Sequence, residues 1–290
     1  MTSDHARRGM ASCCRLWKKG KRGTVVRPED YDALQKWFDG HVAACRRDNP
    51  GYGEWIGLKD AHTRRVVDNI TAIAGSLNLA GEDLLLARSI ALLHDLGRFT
   101  QVALYGTFND RRSEDHAALG VRVLQGAGVL SALPEAEAGL ITSVIGLHNR
   151  RDLPGDLDDH RLLMARLVQD ADKLDILALF TRFHTGENGE FGGVLDANLP
   201  DTPGFSRALV ADVLAKRVGA YMDVHNRNDR KLLHLSWVFG IHFGYTLAMM
   251  EKNGFVEKTI GVLPDTWEVR AVHRLVKSVM EARVRPKTMV

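Results

Sequence analysis

The sequence predicts an all-α fold, and three observations carry that expectation. Apolar residues recur with a helical period through most of the chain. No segment alternates in the manner of a half-buried strand, and helix-start signals recur along the text. A content of 45% hydrophobic and 26% charged residues is that of a folded globular chain, which excludes a fibrous or wholly disordered one.

The first helix opens at Pro28, with Glu29 and Asp30 where the positive end of the macrodipole lies, and covers Tyr31–Cys45. Lys59 to Leu79 follows, on the period of Val66, Val67, Ile70, Ile73, Ala74 and Leu77. Glu82 to Leu96 is the most apolar helix (Leu84, Leu85, Leu86, Ile90, Ala91, Leu92, Leu93) and is expected at the centre. Gly97 to Arg112 reads as a loop, and Ser113 as the cap of a helix ending near Leu124. Pro134 opens a helix to about His148, and another covers His160 to Phe180. Gly186–Pro203, rich in Gly, Asn and Asp, reads as a long loop. Helices are expected at Phe205–Met222, Arg230–Lys252 and Asp265–Arg283.

At roughly 100–200 residues per domain, 290 residues make one large domain or two small ones. No Pro/Ser-rich linker divides the text, so one helical domain over residues 28–290 is expected, its last three helices forming a C-terminal extension at about 205–283. Residues 1–27 hold eight Lys/Arg against Asp4, a net +7 within a whole-chain +3, so the remainder carries −4. Such a tail reads as solvated and poorly ordered, or as a contact for phosphate backbones or an anionic surface. An acidic remainder makes nucleic acid a minor expectation. No segment approaches the ~18 apolar residues of a membrane span, and no apolar signal core opens the chain. Cys13, Cys14 and Cys45 lack metal-type spacing and fit a reducing compartment. A cytoplasmic protein without membrane insertion is expected.

The residues that bear on chemistry are His62, His94, Asp95, His116, His148 and Asp172. About one His-Asp dipeptide is expected by chance in this composition, so His94-Asp95 means little alone. Its place at the end of the most apolar helix means more, because buried polar groups need partners or a cavity. The other four lie on separate expected helices, with His148 and Asp172 among apolar residues of helical spacing. Converging, they would place four imidazoles and two carboxylates around one point. That set suits Fe, Mn, Co, Ni or Zn better than Mg or Ca.

The order His62 … His94-Asp95 … His116 … His148 … Asp172 resembles the HD-domain metal-dependent phosphohydrolase superfamily, whose minimal signature is H…HD…D. Ala91-Leu92-Leu93-His94-Asp95-Leu96-Gly97-Arg98 looks like its apolar-HD-I/L-G-K/R segment, and Asp170-Ala171-Asp172-Lys173-Leu174-Asp175 like its closing helix. The resemblance covers about residues 58–180 and implies an HD-domain-like helical bundle. It further implies that His62, His94, Asp95 and Asp172 hold one divalent transition-metal ion, that His116 and His148 hold a second, and that Asp95 bridges the two. His148-Asn149-Arg150 departs from members that bind cyclic dinucleotides. Arg98 stands where HD-like di-iron oxygenases carry a further histidine, which favours hydrolysis.

Two cations ~3.5–4 Å apart would lower the pKa of a bridging water and neutralise phosphate oxygens during in-line attack. The expected substrate is a small phosphate ester, a nucleotide or other monoester or diester. Asp95 and Arg98 are the candidate catalytic residues, and Arg98, Lys173, Arg111 and Tyr105 the candidates for substrate contact. Arg98 alternatively stabilises a helix C-terminus, and Lys173 alternatively pairs with Asp170. The Tyr105–Asp110 loop with Arg111 and Arg112 either covers the site or lies plainly on the surface. Asp115 either orients His116 or starts its helix. Leu235–Phe239 is either a pocket wall or core. An oxygenase on the same cage and a non-catalytic nucleotide-binding or sensor module are the alternative functions. Oligomeric state is open.

Overall fold

The computed structural model describes residues 26–186 and 199–284. Most of the basic tail, with Cys13 and Cys14, and most of the Gly186–Pro203 segment lie outside the described residues. The expected fold class is observed: the described residues form helices and no strand. None of these helices is long and apolar enough to cross a membrane.

Helix α1 (Pro28–Asp48) starts at Pro28, and the Asp30 carboxylate accepts the Arg27 N–H at 2.9 Å. It buries Tyr31, Leu34, Phe38 and Val42, one stripe at helical spacing. Helix α2 (Gly53–Ser76) carries His62 among Ile56, Val66, Ile70 and Ile73, all buried. Helix α3 (Glu82–Leu93) is buried on nearly every side over its last turns and occupies the centre. Around it pack α4 (Leu96–Tyr105), α5 (His116–Ala127), α6 (Glu135–Ile145) and α7 (Asp159–His184).

The C-terminal part comprises α8 (Arg207–Leu214), α9 (Arg227–Ser236), α10 (Gly244–Lys252), α11 (Phe255–Gly261) and α12 (Trp267–Val284). It has its own apolar cluster, and α7 serves both. Met164, Leu167, Val168 and Ala171 of α7 belong to the first cluster, Leu174 and Leu177 to the second. Asp172 lies at the change-over.

Four differences from the sequence reading have physical causes. Gly97–Arg112 is not one loop: α4 occupies its first part, burying Leu96, Phe99 and Val102 at i, i+3 spacing. Glycine disguised this helix. A Cβ on Gly97 would stand 2.1 Å from the His116 carbonyl and 2.6 Å from the Gly120 nitrogen, so α4 and α5 cross where only glycine fits. The segment after Phe205 is helical only to Leu214, and Lys216 adopts a positive φ of 57°. Arg230–Lys252 is broken by a 3₁₀ turn (Trp237–Gly240), because buried Asp170 on α7 captures the strand-like backbone that follows. The Asp170 carboxylate accepts the N–H groups of His242 and Phe243, each at 2.9 Å. Helix α11 was not anticipated; the short apolar text Phe255–Ile260 carries little period.

Candidate metal centre

Each of five helices brings one or two polar groups to the same point. His62 comes from α2, His94 and Asp95 from the end of α3, His116 from the first turn of α5, His148 from just beyond α6, and Asp172 from α7. All six lie together, and every one except Asp172, which is half-buried, is buried as a residue.

Asp95 divides the group. Its Oδ2 stands 3.5 Å from His62 Nε2 and 3.7 Å from His94 Nε2. Its Oδ1 stands 3.5 Å from His116 Nε2 and 3.8 Å from His148 Nε2. Asp172 Oδ1 closes the first set at 3.1 Å from His62 Nε2 and 3.8 Å from His94 Nε2. His62, His94 and Asp172 offer three ligand atoms within reach of one ion, and so do His94, Asp95 and His148.

The other ring nitrogen of each histidine is already committed. Nδ1–H donates to Asp175 in His62 (2.7 Å), to the Ala91 carbonyl in His94 (2.7 Å), to Asp110 in His116 (2.6 Å) and to the Ile145 carbonyl in His148 (2.7 Å). These acceptors orient the rings, so each turns its Nε2 toward Asp95. His62 Nε2, His94 Nε2 and Asp172 Oδ1 are buried without a hydrogen-bond partner. Lone pairs and carboxylates crowded in this way need positive charge between them. The donor set therefore fits divalent transition-metal ions, with four nitrogens and two carboxylates.

The electrostatics agree. Burial and the Lys59 charge oppose a proton on His62, but the carboxylates of Asp172, Asp175 and Asp95 outweigh them and push it up to about 10. The cage demands a cation, and a proton on His62 is the smallest one. Burial works to raise Asp95, yet Lys59 and the histidines hold it well below the usual carboxylate range. Asp172 is held down by His62 and His94 against the same burial. Burial, then Arg98, pushes His116 down to about 4, which keeps its imidazole neutral as a ligand must be.

Sequence reasoning missed three neighbours. Lys59 Nζ stands 2.6 Å from Asp95 Oδ2. It precedes His62 by three residues, so both share a face of α2. Asp175 stands at the same spacing after Asp172 and is held by Arg65 (2.6 Å) as well as His62. Asp110, not Asp115, receives the His116 Nδ1–H; Asp115 accepts Ala117 N–H at 2.9 Å and caps α5. No sequence spacing marks Asp110, because the turn that carries it bends back onto α4.

Of the residues expected at substrate, Arg98 lies nearest, its Nε 3.7 Å from Asp95 Oδ1. Its NH1 donates to Gln101, to the Phe108 carbonyl and to Asp110. The Phe108 ring lies 5.6 Å from Lys59 Nζ, so the Tyr105–Asp110 segment folds over the site. Arg111 is exposed and lines a cleft beside it. The Tyr105 hydroxyl donates to Glu114 at 3.0 Å. Lys173 does not pair with Asp170; its Nζ lies 3.4 Å from the Gly240 carbonyl. Leu235 and Val238 are core residues of the C-terminal cluster.

Residues 60–177 match the family model of the HD domain. The chain contains an HD domain. The match takes in all six cage residues and Asp175, and leaves Lys59 and the C-terminal helices outside. No curated protein and no solved structure matches the chain. An HD domain implies divalent-metal binding and hydrolase-type activity, and this one carries the His/Asp groups such binding requires.

Proposed function

We propose that the protein is a phosphohydrolase that cleaves a small phosphate ester, a nucleotide or similar compound, at a two-cation centre in its HD domain. The carrying observation is the divided Asp95 carboxylate, with one oxygen toward His62 and His94 and the other toward His116 and His148. His62, His94, Asp95 and Asp172 would hold one ion, and Asp95, His116 and His148 the other. When bound, such ions supply Lewis-acid neutralisation of phosphate oxygens and an acidified water near neutral pH.

The chain's own residues do the rest. Asp175 and Asp110 hold the His62 and His116 rings in their ligand tautomers through short hydrogen bonds. The Arg98 guanidinium, 3.7 Å from Asp95, is positioned to stabilise charge building on a phosphate oxygen. Phe108, packed over Lys59, shields this side of the centre from bulk water.

The test is phosphate release from a panel of phosphomonoesters and diesters by metal-loaded protein, with Asp95→Ala alongside. Hydrolysis by the native chain and none by the variant, which also loses its metal, is the expected result. Hydrolysis persisting in metal-free Asp95→Ala contradicts the reading. Substrate-dependent oxygen uptake without phosphate release selects an oxygenase instead, and tight nucleotide binding without turnover selects a sensor.

A further inference from the structure

A second basic feature adjoins the cage. Asn109, Arg111 and Arg112, on the turn after α4, face Tyr221 and Arg230 across a cleft of about 320 Å³. Its charged lining residues are all arginines, and among the described residues no carboxylate lines it. Two acids beside Arg111 and Arg112 are committed elsewhere. Asp110 is held by His116 and Arg98, and Glu114 by Arg122 and Tyr105. On the far wall Arg230 is 3% exposed, its guanidinium 5.3 Å from the Phe180 ring centre.

The region is electropositive. His184 is pushed down to about 4 by burial and then by Lys231, Arg230 and Arg227, and His234 is lowered by burial and Arg230. Burial lowers both imidazoles first, and the neighbouring cations lower them further. The Asn109 side chain accepts the Arg111 N–H at 3.0 Å, which fixes the turn carrying Arg111 and Arg112.

Asp110 joins the cleft to the cage. It lies between Asn109 and Arg111 in the chain, and its carboxylate holds the His116 ring whose far nitrogen faces Asp95. A single residue, Asp110, thus separates the turn that lines the cleft from a histidine of the cage. Guanidinium forks match phosphate oxygens in geometry and charge.

We propose that this cleft is an anion subsite that binds a second phosphate group of the substrate, so the favoured esters carry two phosphates. The proposal rests on the phosphohydrolase reading and narrows its substrate class. Arg111 and Arg112, both exposed, close on the second phosphate.

The test is calorimetric binding of adenosine 5′-monophosphate and adenosine 3′,5′-bisphosphate to the metal-loaded full chain. An Arg111→Gln/Arg112→Gln variant and an Arg47→Gln/Arg151→Gln control are compared, with metal content measured for each. The native chain is expected to bind the bisphosphate about tenfold more tightly. The cleft variant loses that preference and the control keeps it. Equal affinity of the native chain for both probes overturns the proposal, and so does a preference that survives in the cleft variant. Phosphate release is followed separately. A preference lost in the variant without any hydrolysis leaves the subsite standing and removes the hydrolase reading. Hydrolysis without any preference does the reverse.

Discussion

The Nε2 atoms of His116 and His148 stand 3.0 Å apart, and the Nδ1 of each ring is engaged on its other side. Their Nδ1 protons are spent on Asp110 and on the Ile145 carbonyl. Packing sets this approach, because α5 crosses α4 at Gly97 while α6 ends beside it. Asp95 Oδ1 faces both rings. A cation among these three atoms would be held by all three.

The acceptors behind the rings should set metal affinity without being ligands. Asp175→Asn and Asp110→Asn leave the cage atoms in place but weaken the hold on the His62 and His116 tautomers. Each is expected to lower metal affinity by about 10–100-fold. Chelator competition measures it, and affinity unchanged in both variants would show that the rings are oriented by packing alone.

Gly97→Ala tests the crossing of α4 and α5. The added methyl would meet backbone atoms of His116 and Gly120, which cannot rotate away as a side chain can. A loss of about 1–3 kcal/mol in urea unfolding is expected, together with weaker metal binding as His116 is displaced. Native stability in this variant would mean that the helices are not so closely apposed.

Acid should destabilise the metal-free protein through its buried neutral histidines. His184 sits at about 4 in the folded chain against an ordinary 6.5, because of burial and then Lys231, Arg230 and Arg227. Between those values the unfolded chain takes up a proton that the folded chain refuses, so stability rises with pH from 4 to 6.5. His116, also near 4, acts in the same direction. His184→Gln should remove on the order of 1–2 kcal/mol of the loss between pH 7 and 4.5, allowing for partial solvent screening. An unchanged pH slope in this variant would contradict the assignment.

The sequence disclosed the cage residues more completely than their supports. His62, His94-Asp95 and Asp172 are legible through their order along the chain and its resemblance to the H…HD…D signature, and not singly. Asp175 could have been found from its spacing to Asp172, and Lys59 from its spacing to His62. Asp110 could not, since it reaches His116 through a turn whose path depends on tertiary packing. Helix α4 was hidden for a related reason: Gly97 reads locally as a breaker, and its value lies in letting another helix approach. The break after Ser236 depends on Asp170, which lies far away in sequence and captures the backbone at His242.

Metal stoichiometry, measured by elemental analysis of protein purified without chelator, tests the two-cation cage most directly. Two transition-metal ions per chain are expected in the native protein, one in His148→Ala and none in Asp95→Ala. A native chain that holds a single ion and keeps it in His148→Ala would contradict the bridging role of Asp95.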